Sequence, residues 1–340
     1  MPAPISAPAK TTWRNSLIRF GGCQQWAASP KSTMKRTLKS IKNTVQKLII
    51  LSSYLWAFQA SAQVNFTEID GSLLHSQYHS NPNSIFKGTI VFQNGTGSSL
   101  EVWSANKTFF KCIKQLGNLF MYDRSGLGQS TPDFSVSSAN PITAEYVNSK
   151  LIQLLNRNRI KSPYILISHS YGGLYAGYFA RKYPDSVAGM LMVDPVPSNF
   201  YYSDRIQKQF DIALMALGAM PSREAYKLYS ASNQRKNNGI TADGFYQQKG
   251  FKTSKEQLAE LPPMSSKFPI IIISSNEMKK RAPIKGNWHS LQKQWLNQNP
   301  QSTILGAQGG HFIQIEHPNL VCDQVNELIK TAAQELKPNR

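Results

Sequence analysis

Five short runs in this chain are apolar almost without interruption: TIVFQN at 89–94, NLFMYD at 118–123, YILISH at 164–169, AGMLMVD at 188–194 and PIIIISS at 269–275. A strand with one face in water alternates apolar and polar residues. These runs do not, so they read as strands buried on both faces, as parallel strands are when helices cover the sheet above and below. Segments with apolar residues at helical spacing separate them: 100–116, 143–158, 172–184, 287–298 and a last helix from Pro318 to about Leu336. Strand alternating with helix predicts an α/β fold, a doubly wound and mostly parallel sheet with right-handed crossovers. VNFTEID and SLLHSQYHS, joined at Asp70-Gly71, predict an antiparallel hairpin at its start, and STILGA at 302–307 predicts a further strand.

One stretch breaks the rhythm. Residues 197–267 contain helix-like segments and many aromatic residues, among them Tyr226, Phe245 and Tyr246, but no strong strand. An insertion that leaves the carboxyl end of a strand lies over the sheet edge where open α/β sheets bind ligands, so this stretch is read as a helical cap. It divides a core of 63–196 and 268–340.

The N-terminus reads differently from the rest. Nine of the 38 Lys and Arg residues and none of the 19 Asp and Glu residues fall in 1–62, leaving 29 basic against 19 acidic beyond it. That balance is only mildly basic, with no Arg-rich helix or aromatic-interleaved basic repeat, which argues against nucleic acid as a partner. From Met34, Lys35, Arg36, Lys39, Lys42 and Lys47 precede an apolar core at 48–58, and Ala60-Ser61-Ala62 forms an A-x-A site. This is the pattern of an export signal over 34–62, with a core short of the roughly 20 residues a membrane span needs. Residues 1–33, rich in Pro, Ala and Ser, read as a disordered or non-native extension. With the signal removed Cys23 is lost, and Cys112 and Cys322 remain as an even pair, which in an exported protein points to a disulfide.

The strand YILISH runs into Ser170-Tyr171-Gly172-Gly173 and then a helix. Strand, serine and small-residue turn, helix is the layout of a nucleophile elbow, in which the positions two before and two after the serine must be small. Gly172 satisfies this, and Ser168 stands where glycine is usual. The elbow lifts the Ser170 hydroxyl above the sheet edge. A serine needs a base. Of six histidines, His311 in QGGHFIQIEHP lies between the last strand and the last helix, in a loop whose glycines let the ring turn inward. The acid that orients this histidine should follow a strand between the two. Asp194, at the end of AGMLMVD, is preferred for its reach, and Glu277, beyond PIIIISS, is the alternative. The oxyanion hole needs two backbone amides: Tyr171, directly after the serine, and Thr96 in the loop QNGTGSS.

FQNGTGSSLEVW, MYDRSGLGQS, ISHSYGGLYAGYFARKYPDSVAGMLMVDPV and GGHFIQIEHP occur in an order and spacing that resemble the α/β-hydrolase superfamily, in particular a bacterial esterase-like branch with a helical cap. The resemblance spans about 65–335 and is weakest in the cap. It implies a serine hydrolase acting on a small-molecule ester, without metal or organic cofactor, nucleic acid or specific protein partner. Serine at 170 separates the chain from the epoxide hydrolases and haloalkane dehalogenases of the fold, which carry aspartate there. In similar proteins the segment Tyr122–Ser130 shapes the pocket rim, so Asp123 and Arg124 are not expected in the triad. Some capped relatives place the acid at the position of Asp194. In this layout the helices carrying Cys112 and Cys322 lie side by side. Amidase, lactonase, thioesterase and cofactor-free haloperoxidase chemistry use the same groups, and a binding protein that kept the fold is the non-enzymatic alternative.

The expected consequence of the N-terminal pattern is a periplasmic or secreted chain that begins at Gln63. Edman sequencing or mass spectrometry of the exported protein checks this. A full-length chain retained in the membrane fraction would make the segment an anchor instead.

Overall fold

The computed structural model describes residues 62–199, 217–230, 241–278 and 287–335, with single positions at 208, 211 and 215. Residues 1–33 and the export segment up to Ser61 lie outside the described residues, as do Phe200, Tyr201, Tyr202 and Phe210 of the 197–267 stretch.

Eight strands form one sheet in the order β1-β2-β4-β3-β5-β6-β7-β8. They are β1 (Gln63–Ile69), β2 (Ser72–His79), β3 (Thr89–Gln93), β4 (Asn118–Tyr122), β5 (Tyr164–His169), β6 (Val187–Val193), β7 (Ile270–Ser275) and β8 (Thr303–Ala307). β1 and β2 pair antiparallel around the Asp70-Gly71 turn, and β2 joins β4 antiparallel. Every pairing from β4 through β8 is parallel. This is the doubly wound, mostly parallel sheet that the apolar runs predict.

The apolar runs are buried because both faces are covered. Val91, Leu166 and Ile272 point to a core shared with α2 (Ala144–Arg157) and α3 (Gly172–Lys182). Their neighbours Ile90, Phe92, Ile165, Ile167, Ile271 and Ile273 point to the opposite core, shared with α1 (Lys107–Leu116) and α7 (Pro318–Glu335). Residues that alternate in direction along each strand thus enter two separate apolar cores. Full burial of side chains of this kind contributes roughly 1.5–3 kcal/mol apiece.

Two helix boundaries differ from the sequence expectation. The segment 100–116 is a single turn (Glu101–Ser104) followed by α1, because Asn106 caps α1 by accepting from the Phe109 amide and so ends the preceding turn. The segment 287–298 is helical only over Trp288–Gln292, followed by a 3₁₀ turn over Lys293–Trp295. Between β6 and β7 the described residues form α4 (Ser222–Leu228), α5 (Ala242–Lys249) and α6 (Phe251–Glu260). They meet the core above the carboxyl ends of the strands: the Ile142 amide donates to the Tyr246 carbonyl and the Tyr171 hydroxyl to the Gln247 carbonyl.

α1 and α7 lie side by side, and a disulfide joins Cys112 to Cys322 with a Cα separation of 6.4 Å and a sequence separation of 210. A cross-link closing so long a loop restricts the unfolded chain, so replacing both cysteines by serine is expected to lower stability by about 2–5 kcal/mol. Urea denaturation of the chain beginning at Gln63 checks this, and thiol titration of the same denatured, unreduced chain is expected to find no free thiol.

Candidate active site

The polar residues singled out in the sequence gather at the carboxyl edge of β3, β5, β6 and β8. Ser170 follows β5 directly and adopts a left-handed backbone with φ of 56°. Such a conformation in a non-glycine residue persists only where the surroundings over-determine it. Here the Ser170 amide donates to the Val193 carbonyl, and the Ser170 carbonyl accepts from the amides of Gly173 and Val196. The turn is as tight as the elbow pattern requires: a Cβ on Gly172 would stand 2.3 Å from the Gln93 carbonyl oxygen and 2.7 Å from that of Asn94. Ser168, two residues before the serine, is fully buried.

His311 faces Ser170 from the loop after β8. Its Nε2 lies 2.7 Å from Ser170 Oγ, placed to accept the hydroxyl proton, and its Nδ1 lies 2.6 Å from Asp194 Oδ2. The carboxylate only accepts, so Nδ1 carries the hydrogen. The two glycines before His311 make this approach possible. Gly309 has φ of 131°, and the Gly310 amide donates to Glu316 at 2.7 Å, where a Cβ on either glycine would collide with that carboxylate.

Asp194 follows β6 and also has a left-handed backbone, with φ of 42°, its amide donating to the Ile273 carbonyl. Its carboxylate is fully buried. Oδ1 accepts three hydrogen bonds, from the Ser275 amide (3.0 Å), Trp288 Nε1 (2.6 Å) and Gln292 Nε2 (3.0 Å), which leaves Oδ2 for His311. Glu277, the alternative, is exposed in the loop after β7. Its backbone amide donates to Ser275 Oγ. The structure therefore brings Ser170, His311 and Asp194 into one hydrogen-bonded chain.

The loop after β3 carries Thr96. Asn94 anchors it, its side-chain amide donating to the Tyr122 carbonyl at 2.9 Å and its Oδ1 accepting from Trp103 Nε1 at 2.6 Å. The buried Arg124 guanidinium donates to the carbonyls of Asn94 (2.7 Å) and Gly95 (2.6 Å). A trans peptide points its N–H opposite to its C=O. By holding the Gly95 carbonyl, Arg124 therefore sets the direction of the Thr96 amide. Tyr171, the other residue expected to supply an oxyanion amide, opens α3 directly after Ser170.

Four contacts around the site are not legible in the local sequence. His169 packs its ring 4.7 Å from that of His311, and its Nε2 donates to the His311 carbonyl at 2.9 Å. Burial, with the charge of His311 nearby, pushes the His169 pKa down to about 3, so it stays neutral. Trp288 and Gln292 reach Asp194 from one face of a short helix, the i, i+4 spacing being the one sequence signal they share. Arg124 is a guanidinium just beyond an apolar strand, a signal that something buried needs its charge. His75 and Asp123 are both buried, with Nδ1 2.7 Å from Oδ2. Asp123 also accepts from the amides of Leu100 (2.7 Å) and Gln129 (3.1 Å), tying the loop after β4 to β2 and to the start of the turn after the Thr96 loop.

Comparison with known proteins bears on the fold. The family model described as the alpha/beta hydrolase fold matches residues 88–214. The Bacillus subtilis (strain 168) protein YqjL, described as uncharacterized, is 27% identical over 276 residues, 79% of this chain and 93% of its own. Among solved structures, Cfl2 from Burkholderia cenocepacia superposes with a TM-score of 0.58 at 17% identity, covering 79% of this chain and 96% of that one. The enol-lactonase from Burkholderia xenovorans LB400 superposes with a TM-score of 0.53 at 15% identity, covering 78% and 100%. At such identities the two structures speak for the fold alone. A parallel sheet with an antiparallel hairpin at its edge, a strained serine after β5 and a histidine after β8 accompany these likenesses, and the chain has the α/β-hydrolase fold.

Proposed function

We propose that this protein is a serine hydrolase that cleaves carboxylic esters through an acyl-enzyme. The observation that carries this reading is the chain Ser170–His311–Asp194, with hydrogen bonds of 2.7 and 2.6 Å on opposite ring nitrogens of one histidine. In this reading Ser170 Oγ attacks the carbonyl carbon as its proton passes to His311 Nε2. The negative charge that develops on the carbonyl oxygen is held by the amides of Thr96 and Tyr171, at the N-terminal end of α3. The resulting imidazolium is stabilised by Asp194 and returns the proton to the departing alcohol. Water then attacks the acyl-enzyme by the same route, with His311 again as base. A hydroxyl nucleophile at 170 supports ester chemistry over reactions that begin from a carboxylate nucleophile. The reading extends to an exported enzyme with a small-molecule substrate, supported by the export pattern before Gln63 and the disulfide between Cys112 and Cys322.

Two measurements test it. Ser170→Ala is expected to abolish both p-nitrophenyl ester hydrolysis and labelling by a fluorophosphonate probe while leaving the thermal unfolding transition in place. Unlabelled wild-type protein, or activity that survives this substitution, would overturn the assignment. Asp194→Asn is expected to lower kcat by roughly 10³–10⁴, because a neutral amide no longer selects the histidine tautomer that accepts the serine proton. Glu277→Gln is expected to leave kcat within about threefold, since that side chain is exposed.

A further inference from the structure

α5 touches both sides of the expected oxyanion hole. On one side the Tyr171 hydroxyl donates to the Gln247 carbonyl at 2.8 Å, tying α5 to the residue whose amide follows the serine. On the other, the turn that opens α5 lies on the Thr96 loop: a Cβ on Gly244 would stand 3.4 Å from Thr96 Cγ2, and one on Gly97 would stand 3.8 Å from Thr241 Oγ1. Asp243 sits at that contact with only 2% of its surface exposed. Gln247, one turn along the same helix, donates its side-chain amide to Asp243 Oδ2, and Oδ1 has no hydrogen-bond partner. A carboxylate buried in this way is costly unless nearby charge favours it. The guanidinium of Arg124, the side chain of Gln247 and the amide of Gly97 favour it, and the first and last of these belong to the oxyanion side. Arg124 is the residue that clamps the carbonyls of Asn94 and Gly95 and so directs the Thr96 amide.

We propose that α5 brackets the two halves of the oxyanion hole, and that Asp243 is the positioning residue of that bracket, its ionised carboxylate holding Arg124 and the 95–97 loop in the geometry the transition state needs. The inference rests on the serine-hydrolase reading above and assigns to the cap segment a part in turnover beyond covering the site.

The proton balance at Asp243 gives this role a signature. Burial raises its pKa from the carboxylate range to about 6, opposed by Arg124, by Gln247 and by the Gly97 amide. The other titratable groups facing it are phenols, Tyr146 from α2, Tyr175 from α3 and Tyr226 from α4, all pushed upward and so neutral near pH 6. Arg124 is cationic throughout. The folded protein binds the Asp243 proton more tightly than the unfolded chain does. This group's contribution to stability is therefore present at low pH and is lost as pH rises through about 6. Its ionisation costs stability and, by this inference, serves turnover.

The test compares wild type with Asp243→Asn, using p-nitrophenyl butyrate and a fluorophosphonate probe, with Tm measured at pH 8. The variant is expected to lose about 10- to 100-fold in kcat, with KM within about twofold, as a loosened oxyanion site affects the transition state more than the bound ester. Its labelling rate is expected to fall in step, and its Tm at pH 8 to equal or exceed that of wild type. The acid limb of the wild-type log kcat/KM profile is expected to include a proton loss near pH 6 that the profile of the variant lacks. A variant with wild-type kcat overturns the proposal, as does one whose lost activity tracks a lowered Tm at pH 8, and so does an acid limb of the same shape in wild type and variant. Wild-type protein that neither hydrolyses ester nor labels at Ser170 overturns the hydrolase reading, and this inference with it.

Discussion

The Asp194 carboxylate is the point on which the site depends. It is fully buried, and a buried anion is costly unless hydrogen bonds or nearby charge offset the lost hydration. Three N–H donors, from Ser275, Trp288 and Gln292, converge on Oδ1 and leave Oδ2 with one partner, His311. Those donors come from β7 and from the short helix that follows it, so the sheet and its last crossover together aim the carboxylate. His311 then has one free choice of orientation, with Nδ1 on Asp194 and Nε2 on Ser170. The strained backbones of Ser170 and Asp194 are held by the same region, since each amide donates to a carbonyl of the neighbouring strand end, Val193 and Ile273 respectively.

The loop that carries Thr96 has a comparable logic with the charges reversed. Its carbonyls at Asn94 and Gly95 would be poorly satisfied in a buried loop, and the Arg124 guanidinium supplies both donors. The Asp123 carboxylate beside it gathers His75, the Leu100 amide and the Gln129 amide, which keeps the chain on either side of Arg124 in register with β2. Two adjacent residues of opposite charge thus point to different places, one fixing the loop after β3 and the other the loop after β4. His169 adds a third restraint by donating to the main chain of His311, and burial keeps that imidazole neutral so that it sets no positive charge beside His311.

Much of this architecture was legible in the chain. The runs at 89–94, 164–169 and 269–275 are apolar at every position that a two-sided core requires, and period alone distinguishes them from strands with a wet face. The break at Gly172 was legible because a turn with 2.3 Å of clearance to a backbone oxygen admits no side chain. Helix ends were less so. The division of 100–116 depends on Asn106 capping α1, and the shortness of 287–298 on a 3₁₀ turn that periodicity does not distinguish from a continuing helix.

What the sequence by itself determined is local: the strand type, the elbow around Ser170, and a histidine in a glycine-bearing loop after the last strand. These follow from side-chain period and backbone sterics, which act over a few residues. Only the tertiary structure decided between Asp194 and Glu277. The choice was made by Trp288 and Gln292, whose hydrogen bonds to Asp194 span 94 and 98 residues, and by the exposure of Glu277. It also brought Arg124 to the Asn94 loop, and joined Cys112 to Cys322 over a sequence separation of 210. Each of these pairings depends on burial, which removes the water that would otherwise satisfy the groups, and burial is a property of the packed sheet and its covering helices that no short stretch of sequence carries.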